Sequence, residues 1–183
     1  MRIVGGFYKG RALLEFKGKD IRPTSDMARE SLFNIIKDKV LGATFLDLYS
    51  GTGAVGIEAL SRGAERVVFN DLSRESLALA KKNLEKVDKE KIANNKSVTF
   101  TNCEAISYLK SSAEKFDIIF IDAPYGSAQI IGVVTLAKNL LSDNGIIIFE
   151  DEKPLDILDA SLEVYDVRKY GRANFTFIRI KKD

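Results

Sequence analysis

Histidine is absent from the 183 residues, and cysteine occurs once, at Cys103. The first absence removes the commonest general base near neutral pH and the usual nitrogen ligand for a metal ion. The second excludes an intrachain disulfide and a multi-cysteine zinc site. No apolar run approaches the roughly 18 residues that cross a bilayer, and the opening MRIVGGFYKG lacks the apolar centre of a signal peptide. Linkers, internal repeats and low-complexity segments are missing too. The expectation is a cytoplasmic protein with no membrane association, folded as a single domain over 1–183, whose chemistry uses no metal. That chemistry is left to carboxylates, backbone groups and a cofactor.

Charge is nearly balanced, at a formal +2, but unevenly spread. Residues 1–22 carry six basic and two acidic side chains, and residues 168–183 carry six and one, so the middle is acidic. Basic ends on an acidic body suit a polyanionic partner. Within the first segment the Lys9, Gly10, Arg11 trio is a candidate phosphate contact. At the other end Arg172, in the turn between the last two strands, is a further basic candidate.

The stretch DLYSGTGAVG, Asp47 to Gly56, organises the rest. An apolar run ends in Asp47, three glycines follow at GxGxxG spacing (Gly51, Gly53, Gly56), and a helical pattern begins. Glycines at a strand-to-helix turn let a ligand lie against bare backbone at a helix N-terminus. Asp71 lies 20 residues after Gly51, where a dinucleotide fingerprint has its ribose-binding acid. Asp47 argues against a pyrophosphate, which gains nothing from a second negative charge, and for a ligand bearing a cation.

From residue 44 onward strands and helices alternate: strands 44–48, 66–70, 97–101, 116–121 and 145–150, with helices 54–62, 73–87, 104–111 and 127–140 and a short helix after Pro154. Such repeats predict a mainly parallel sheet covered on both faces. LEVYDVRKYG and ANFTFIRIKK, separated by a short turn, predict a final antiparallel hairpin. Residues 1–40 read as two short strands across Gly5–Gly10, then a helix with Ala28, Leu32, Ile35, Ile36 and Val40 at helical spacing, capped by Thr24 or Ser25. The polar segment DKEKIANNKS reads as a loop. The expected fold is α/β and Rossmann-like, with a seven-stranded mixed sheet and an N-terminal β-hairpin and helix on the substrate side of a core at 41–183.

Ligands of open α/β sheets bind outside the carboxyl ends of the strands. Asp47, Asp71, Glu104 and Asp122 stand at or just past four successive strand ends. Four carboxylates on one rim repel unless a cation or hydrogen-bond donors lie between them. An adenosyl sulfonium amino acid supplies a positive sulfur, an ammonium, two ribose hydroxyls and an adenine amine. The sequence resembles the S-adenosylmethionine-dependent class I methyltransferases on these residues. The resemblance implies that Asp47, Tyr49, Ser50, Gly51, Thr52 and Gly53 face the methionine end, Asp71 and Leu72 the ribose, and Glu104 and Ala105 the adenine.

The segment Asp122-Ala123-Pro124-Tyr125 follows the strand FDIIFI. An exocyclic amine on a base is a poor nucleophile because its lone pair is delocalised into the ring. A carboxylate and a backbone carbonyl that accept its two N–H protons localise that pair, while an aromatic ring stacks on the base. Asp122 and the Ala123 carbonyl are the candidate acceptors, with Pro124 stiffening the turn and Tyr125 stacking. A base so treated has to be unstacked or flipped out. The sequence is similar here to the [DNS]PPY loop of amino-methyltransferases, with Ala123 in place of the first proline.

Four segments in order, MRIVGGFYKGRALL, RPTSDMARESLFNII, FLDLYSGTGAVGIEALSRGA and FDIIFIDAPY, resemble the bacterial 16S ribosomal RNA guanine-N2 methyltransferase family. That resemblance implies ribosomal RNA, or the assembling small ribosomal subunit, as the partner of a monomeric enzyme. It also implies that Arg22, Thr24 and Arg29 lie near the active-site entrance. An adenine-N6 methyltransferase, a nicotinamide-dependent oxidoreductase and a non-catalytic RNA-binding factor are the rival readings.

Overall fold

The computed structural model describes residues 1–16, 24–93, 96–124, 129–157 and 159–182. Arg22 and Tyr125 therefore lie outside the described residues. In chain order the elements are α1 (Asp26–Ile35), α2 (Lys37–Val40), β1 (Thr44–Leu48), α3 (Ala54–Ser61), β2 (Arg66–Asn70), α4 (Arg74–Val87), α5 (Lys89–Ala93) and β3 (Val98–Thr101). They continue with α6 (Ala105–Ser111), β4 (Phe116–Ile121), α7 (Ile130–Ala137), a 3₁₀ turn (Lys138–Leu140), β5 (Leu141–Asp151), β6 (Leu162–Tyr170) and β7 (Ala173–Ile180).

The strands form one seven-stranded sheet in the order β3-β2-β1-β4-β5-β7-β6. The first five are parallel, and β7 pairs antiparallel with both β5 and β6. The central strands are apolar on both faces because both are covered. Phe45, Val67, Phe69, Ile118, Phe120 and Ile148 pack with α1, α3 and α4, while Leu46, Leu48, Val68, Ile119, Ile121 and Ile147 pack with α6 and α7. Alternation along a strand assigns its side chains to these two cores. All five parallel strands deliver their carboxyl ends to one edge, and β5 with β7 returns the Gly171–Arg172 turn to that edge, since Asp151 lies opposite Asn174 and Tyr170 opposite Ala173.

Several local expectations give way. The N-terminal segment makes a single antiparallel bridge, Arg2 with Ala12, rather than two strands. Three of its amides bond helix α3: Val4 N–H donates to the Glu58 carboxylate (2.9 Å), Phe7 N–H to the Ser61 carbonyl (2.7 Å) and Tyr8 N–H to Ser61 Oγ (2.9 Å). The first helix stops at Ile35 and restarts as α2. Its cap is Ser25, whose Oγ accepts from Ala28 N–H at 3.2 Å.

The polar segment after α4 is not all loop, because Asp88 accepts from the amides of Glu90 (3.0 Å) and Lys91 (3.1 Å) and so starts α5. After Pro154 the described residues form no helix. There the Leu155 amide donates to Thr176 Oγ1 at 3.3 Å, and Leu155 and Ile157 lie along the second core. Helix α7 begins at Ile130, and residues 125–128, where its start was expected, lie outside the described residues.

Candidate active site

The carboxyl end of β1 turns sharply into α3. Tyr49 takes φ +65°, a left-handed conformation rare for a residue with a Cβ, and Gly51 and Gly53 follow at +51° and +76°. Such strain in a side-chain-bearing residue marks a turn held by its surroundings. The holding groups are visible: Ser50 N–H donates to the Asn70 carbonyl at 3.0 Å and Gly53 N–H to the Ser50 carbonyl at 2.7 Å. A Cβ on Gly51 would meet only the Tyr49 carbonyl, at 4.0 Å, so its backbone is accessible. Gly56 is glycine for another reason: a Cβ there would come within 2.4 Å of the Phe69 ring and 3.0 Å of Asp47 Oδ2.

Asp47 is buried, and its Oδ2 accepts from Gly56 N–H at 2.9 Å. Loss of hydration, countered by that amide and reinforced by the charge of Asp71, pushes its carboxyl up to about 8. Asp71 uses one oxygen to accept from Gly51 N–H (2.9 Å) and the other to accept from Ser73 N–H (2.8 Å). It thereby clamps the glycine turn to the start of α4 and keeps lone pairs free, since a carboxylate has about four acceptor positions. Leu72, beside it, is 69% exposed and adds an apolar surface to the rim. Glu104 is the N-cap of α6, accepting from Ser107 N–H at 2.8 Å, and these bonds hold its carboxyl low. Its charge, after burial, raises the Tyr49 hydroxyl. Ala105 is buried in the second core.

Asp122 follows β4, and its N–H still bonds the Leu48 carbonyl at 3.4 Å, so the β1–β4 ladder carries it to the same rim as Asp47. Desolvation, then the charges of Glu150, Asp47 and Asp151, raise its carboxyl well above the ordinary range. Ala123 is buried and Pro124 exposed. Along the sheet the acids run Glu104, Asp71, Asp47, Asp122, Glu150, following the strand order.

Thr24 and Arg29 are not at the surface. Arg29 is fully buried; its guanidinium donates to the Thr24 carbonyl (3.1 Å), to Asp26 Oδ1 (2.9 Å) and to the Arg2 carbonyl. The Thr24 hydroxyl donates to Glu150 Oε2 at 2.7 Å. Lys9 and Arg11 are exposed but sit at the opposite edge of the sheet, where the Arg11 guanidinium reaches the Val87 carbonyl at the end of α4. Arg172 is exposed on the edge that carries the acids.

Two participants escaped the sequence reading. Glu150 closes the apolar run of β5, one residue before the strand ends, as Asp47 closes that of β1, a signal present in GIIIFE. Asn83 donates to the Thr52 carbonyl (2.9 Å) and the Leu14 carbonyl (3.1 Å) and accepts from Leu14 N–H (2.7 Å). Its signal is an amide on the otherwise apolar face of α4.

The site also suits the implied cofactor. Ser50 Oγ is buried without a hydrogen-bond partner among the described residues, beside the open Gly51 backbone and the raised Asp47 carboxyl, so a cationic, donor-bearing ligand finds unused acceptors there.

The sheet order, the glycine turn and the acidic rim define a Rossmann-like fold of the class I S-adenosylmethionine-dependent methyltransferases. Solved structures of this class match it. The Escherichia coli protein yhhF, named as a candidate methyltransferase, superposes with a TM-score of 0.83 at 26% identity, covering 99% of this chain and 98% of that one. SMU.776, a candidate methyltransferase complexed with SAH, has a TM-score of 0.70 at 17% identity, covering 88% of this chain and 52% of that one. Ribosomal RNA small subunit methyltransferase D of Escherichia coli K12 is 34% identical over 145 residues, 79% of this chain and 68% of that protein. Residues 1–179 match the family described as Conserved hypothetical protein 95, and the chain belongs to that family.

Proposed function

We propose that the protein transfers a methyl group from S-adenosylmethionine to the N2 amine of a guanine in 16S ribosomal RNA. In this reading it acts as a cytoplasmic monomer on the RNA or the assembling small subunit. The observation that carries the reading is Asp122, a carboxylate on the same rim as Asp47 and one short turn from the bare Gly51 backbone. Relatives named as small-subunit ribosomal RNA methyltransferases support the substrate class. When bound, the cofactor supplies an activated methyl on a sulfonium, so no further activation of the donor is required.

The chain's own residues orient and discharge. Asp47, Ser50 and the Gly51 and Gly53 backbone hold the cationic amino-acid end, with Tyr49 and Thr52 shaping the turn. Asp71 accepts from the ribose hydroxyls and Leu72 covers an apolar face. Glu104 and Ala105 border the adenine. Ionised Asp122 and the Ala123 carbonyl accept the two amine N–H groups, aligning the lone pair with the methyl carbon; Pro124 fixes the turn and Tyr125 stacks on the base. As the new N–C bond forms and the methyl's bond to sulfur breaks, leaving a neutral thioether, the amine proton would pass to Asp122. Arg172 contacts RNA phosphate on the rim, and Arg22 lies near the entrance. Lys9 and Arg11 meet the RNA only if its footprint wraps to the far edge, while Thr24 and Arg29 support the site from within.

The test is incubation of small-subunit RNA and assembling subunits with S-adenosylmethionine carrying a labelled methyl, followed by mass spectrometry of the nucleosides. N2-methylguanosine is the expected product. Label in N6-methyladenosine, or none at all, would contradict the proposal.

A further inference from the structure

Glu150 is 3% exposed, at the end of a strand buried on both faces, and the methyl-transfer scheme gives it no part. Ile121 lies opposite Phe149 in the last pair of the β4–β5 ladder, so Asp122 and Glu150 are the residues next in that register, where neighbouring strands lie about 4.8 Å apart. Phe120 and Ile148, two residues earlier on each strand, both point into the core beneath α1, α3 and α4. By alternation Asp122 and Glu150 point to that face as well, the one from which Thr24 and Arg29 descend.

We propose that Glu150 is a positioning residue for the transfer: fixed by the Thr24 hydroxyl and facing Asp122 across the ladder, its carboxylate makes Asp122 a stronger proton acceptor. Two acids that share one apolar site do not ionise independently. Burial above all, with the negative charge of Asp151, pushes the Glu150 carboxyl up to about 7, while the Thr24 hydroxyl and the nearby positive charge of Arg29 favour its ionised form. The pair's proton is thereby directed to Asp122, where the charge of Glu150, reinforced by Asp47 and Asp151, holds it. On the remaining flank β7 presents Phe175 opposite Glu150 and Asn174 opposite Asp151, neither charged. The proton that leaves the amine when the N–C bond forms and the C–S bond breaks thus goes to a carboxylate with raised affinity for it. Ionisation of that carboxylate then requires a higher pH.

This inference rests on the proposed function for its catalytic consequence, and the test separates the two. The carboxyl carbons of Asp122 and Glu150 are followed by NMR titration in the wild type and in Glu150→Gln, which keeps an oxygen to accept from Thr24. In the wild type each resonance is expected to report two coupled steps. In Glu150→Gln the step that Asp122 shares with Glu150 is expected to vanish, and what remains of the Asp122 titration to lie lower by about one pH unit or more. The acid limb of kcat against pH should move down with it, while the affinity for S-adenosylmethionine holds.

Should the variant fail to fold, the coupled wild-type curves still decide. Independent single-step curves for the two acids, or an acid limb identical in wild type and variant, would overturn the proposal. A merely structural Glu150 would lower the melting temperature without moving either quantity. Coupled titration without methylation of any RNA would count against the function proposed above and not against the pairing.

Discussion

Asp47 and Gly56 are nine residues apart in sequence and joined by a 2.9 Å hydrogen bond, the buried carboxylate accepting from the first-turn amide of α3. The bond locks the end of β1 to the helix that leaves it, and everything between the two residues is the turn against which a ligand would lie. Gly56→Ala inserts a methyl 2.4 Å from the Phe69 ring, which is fully buried and stacked on Phe100. Overpacking of this kind costs about 1–3 kcal/mol. A melting temperature lower by several degrees is expected, with weaker binding of S-adenosylmethionine by calorimetry. Wild-type values for both would show that the helix can slide without disturbing the turn.

The raised carboxyl of Asp47 makes stability depend on pH in an unusual direction for an acid. The folded protein holds the proton to about 8, whereas the unfolded chain releases it near 4. The contribution is therefore complete below the unfolded value and is lost as pH rises through the folded one. Glu150, pushed up to about 7, and Asp122 add to the same trend. Urea denaturation of the ligand-free protein should show stability falling between about pH 5 and pH 8.5, with a shallower slope in Asp47→Asn. Because a cation favours the ionised acid, S-adenosylmethionine should bind more tightly as pH rises over this range, with net proton release. Constant stability across the range would remove the buried acids from the account.

Arg29 and Arg172 should separate support from contact. Arg29→Ala strips the Thr24, Arg2 and Asp26 partners of a fully buried guanidinium, and a loss of about 3 kcal/mol in unfolding free energy is expected. Arg172→Ala, at an exposed turn, should leave unfolding unchanged. It should weaken RNA binding and reduce the salt dependence of log Kd by about one contact's worth. Filter binding over a salt series checks the second and chemical denaturation the first.

Asn83 ties Leu14 to Thr52, and so the N-terminal segment to the glycine turn. Asn83→Ala strands the Thr52 carbonyl inside the protein, at a cost of about 1–3 kcal/mol. The expected result is lower stability together with lower cofactor affinity. Leu84→Ala, a cavity on the same helix, should lower stability without the same loss of affinity.

The mainly parallel sheet and both of its covers were legible because apolar runs alternate with helical spacing, and the final hairpin because two strands follow each other with only a turn between; the order β3-β2-β1-β4-β5-β7-β6 comes from the structure. The acidic rim was legible for the same reason: strand ends can be counted. Burial of Thr24 and Arg29 was not, because an arginine at the start of a helix reads as solvated until the Arg2 carbonyl is found against it and Glu150 against Thr24. α5 was hidden in a charged stretch whose only signal is the Asp88 cap. Lys9 and Arg11 read as phosphate contacts because they are basic and stand at an exposed turn. Arg11 reaches the Val87 carbonyl at the end of α4, and Phe7 and Tyr8, just before Lys9, bond Ser61 at the end of α3, which takes both basic residues to the other edge.

The most direct measurement is methyl incorporation into small-subunit RNA by Asp122→Ala beside calorimetric binding of S-adenosylmethionine to the same protein. The account predicts that transfer falls at least about 100-fold while the dissociation constant stays close to wild type. Transfer at the wild-type rate, or loss of cofactor binding in step with loss of transfer, would contradict it.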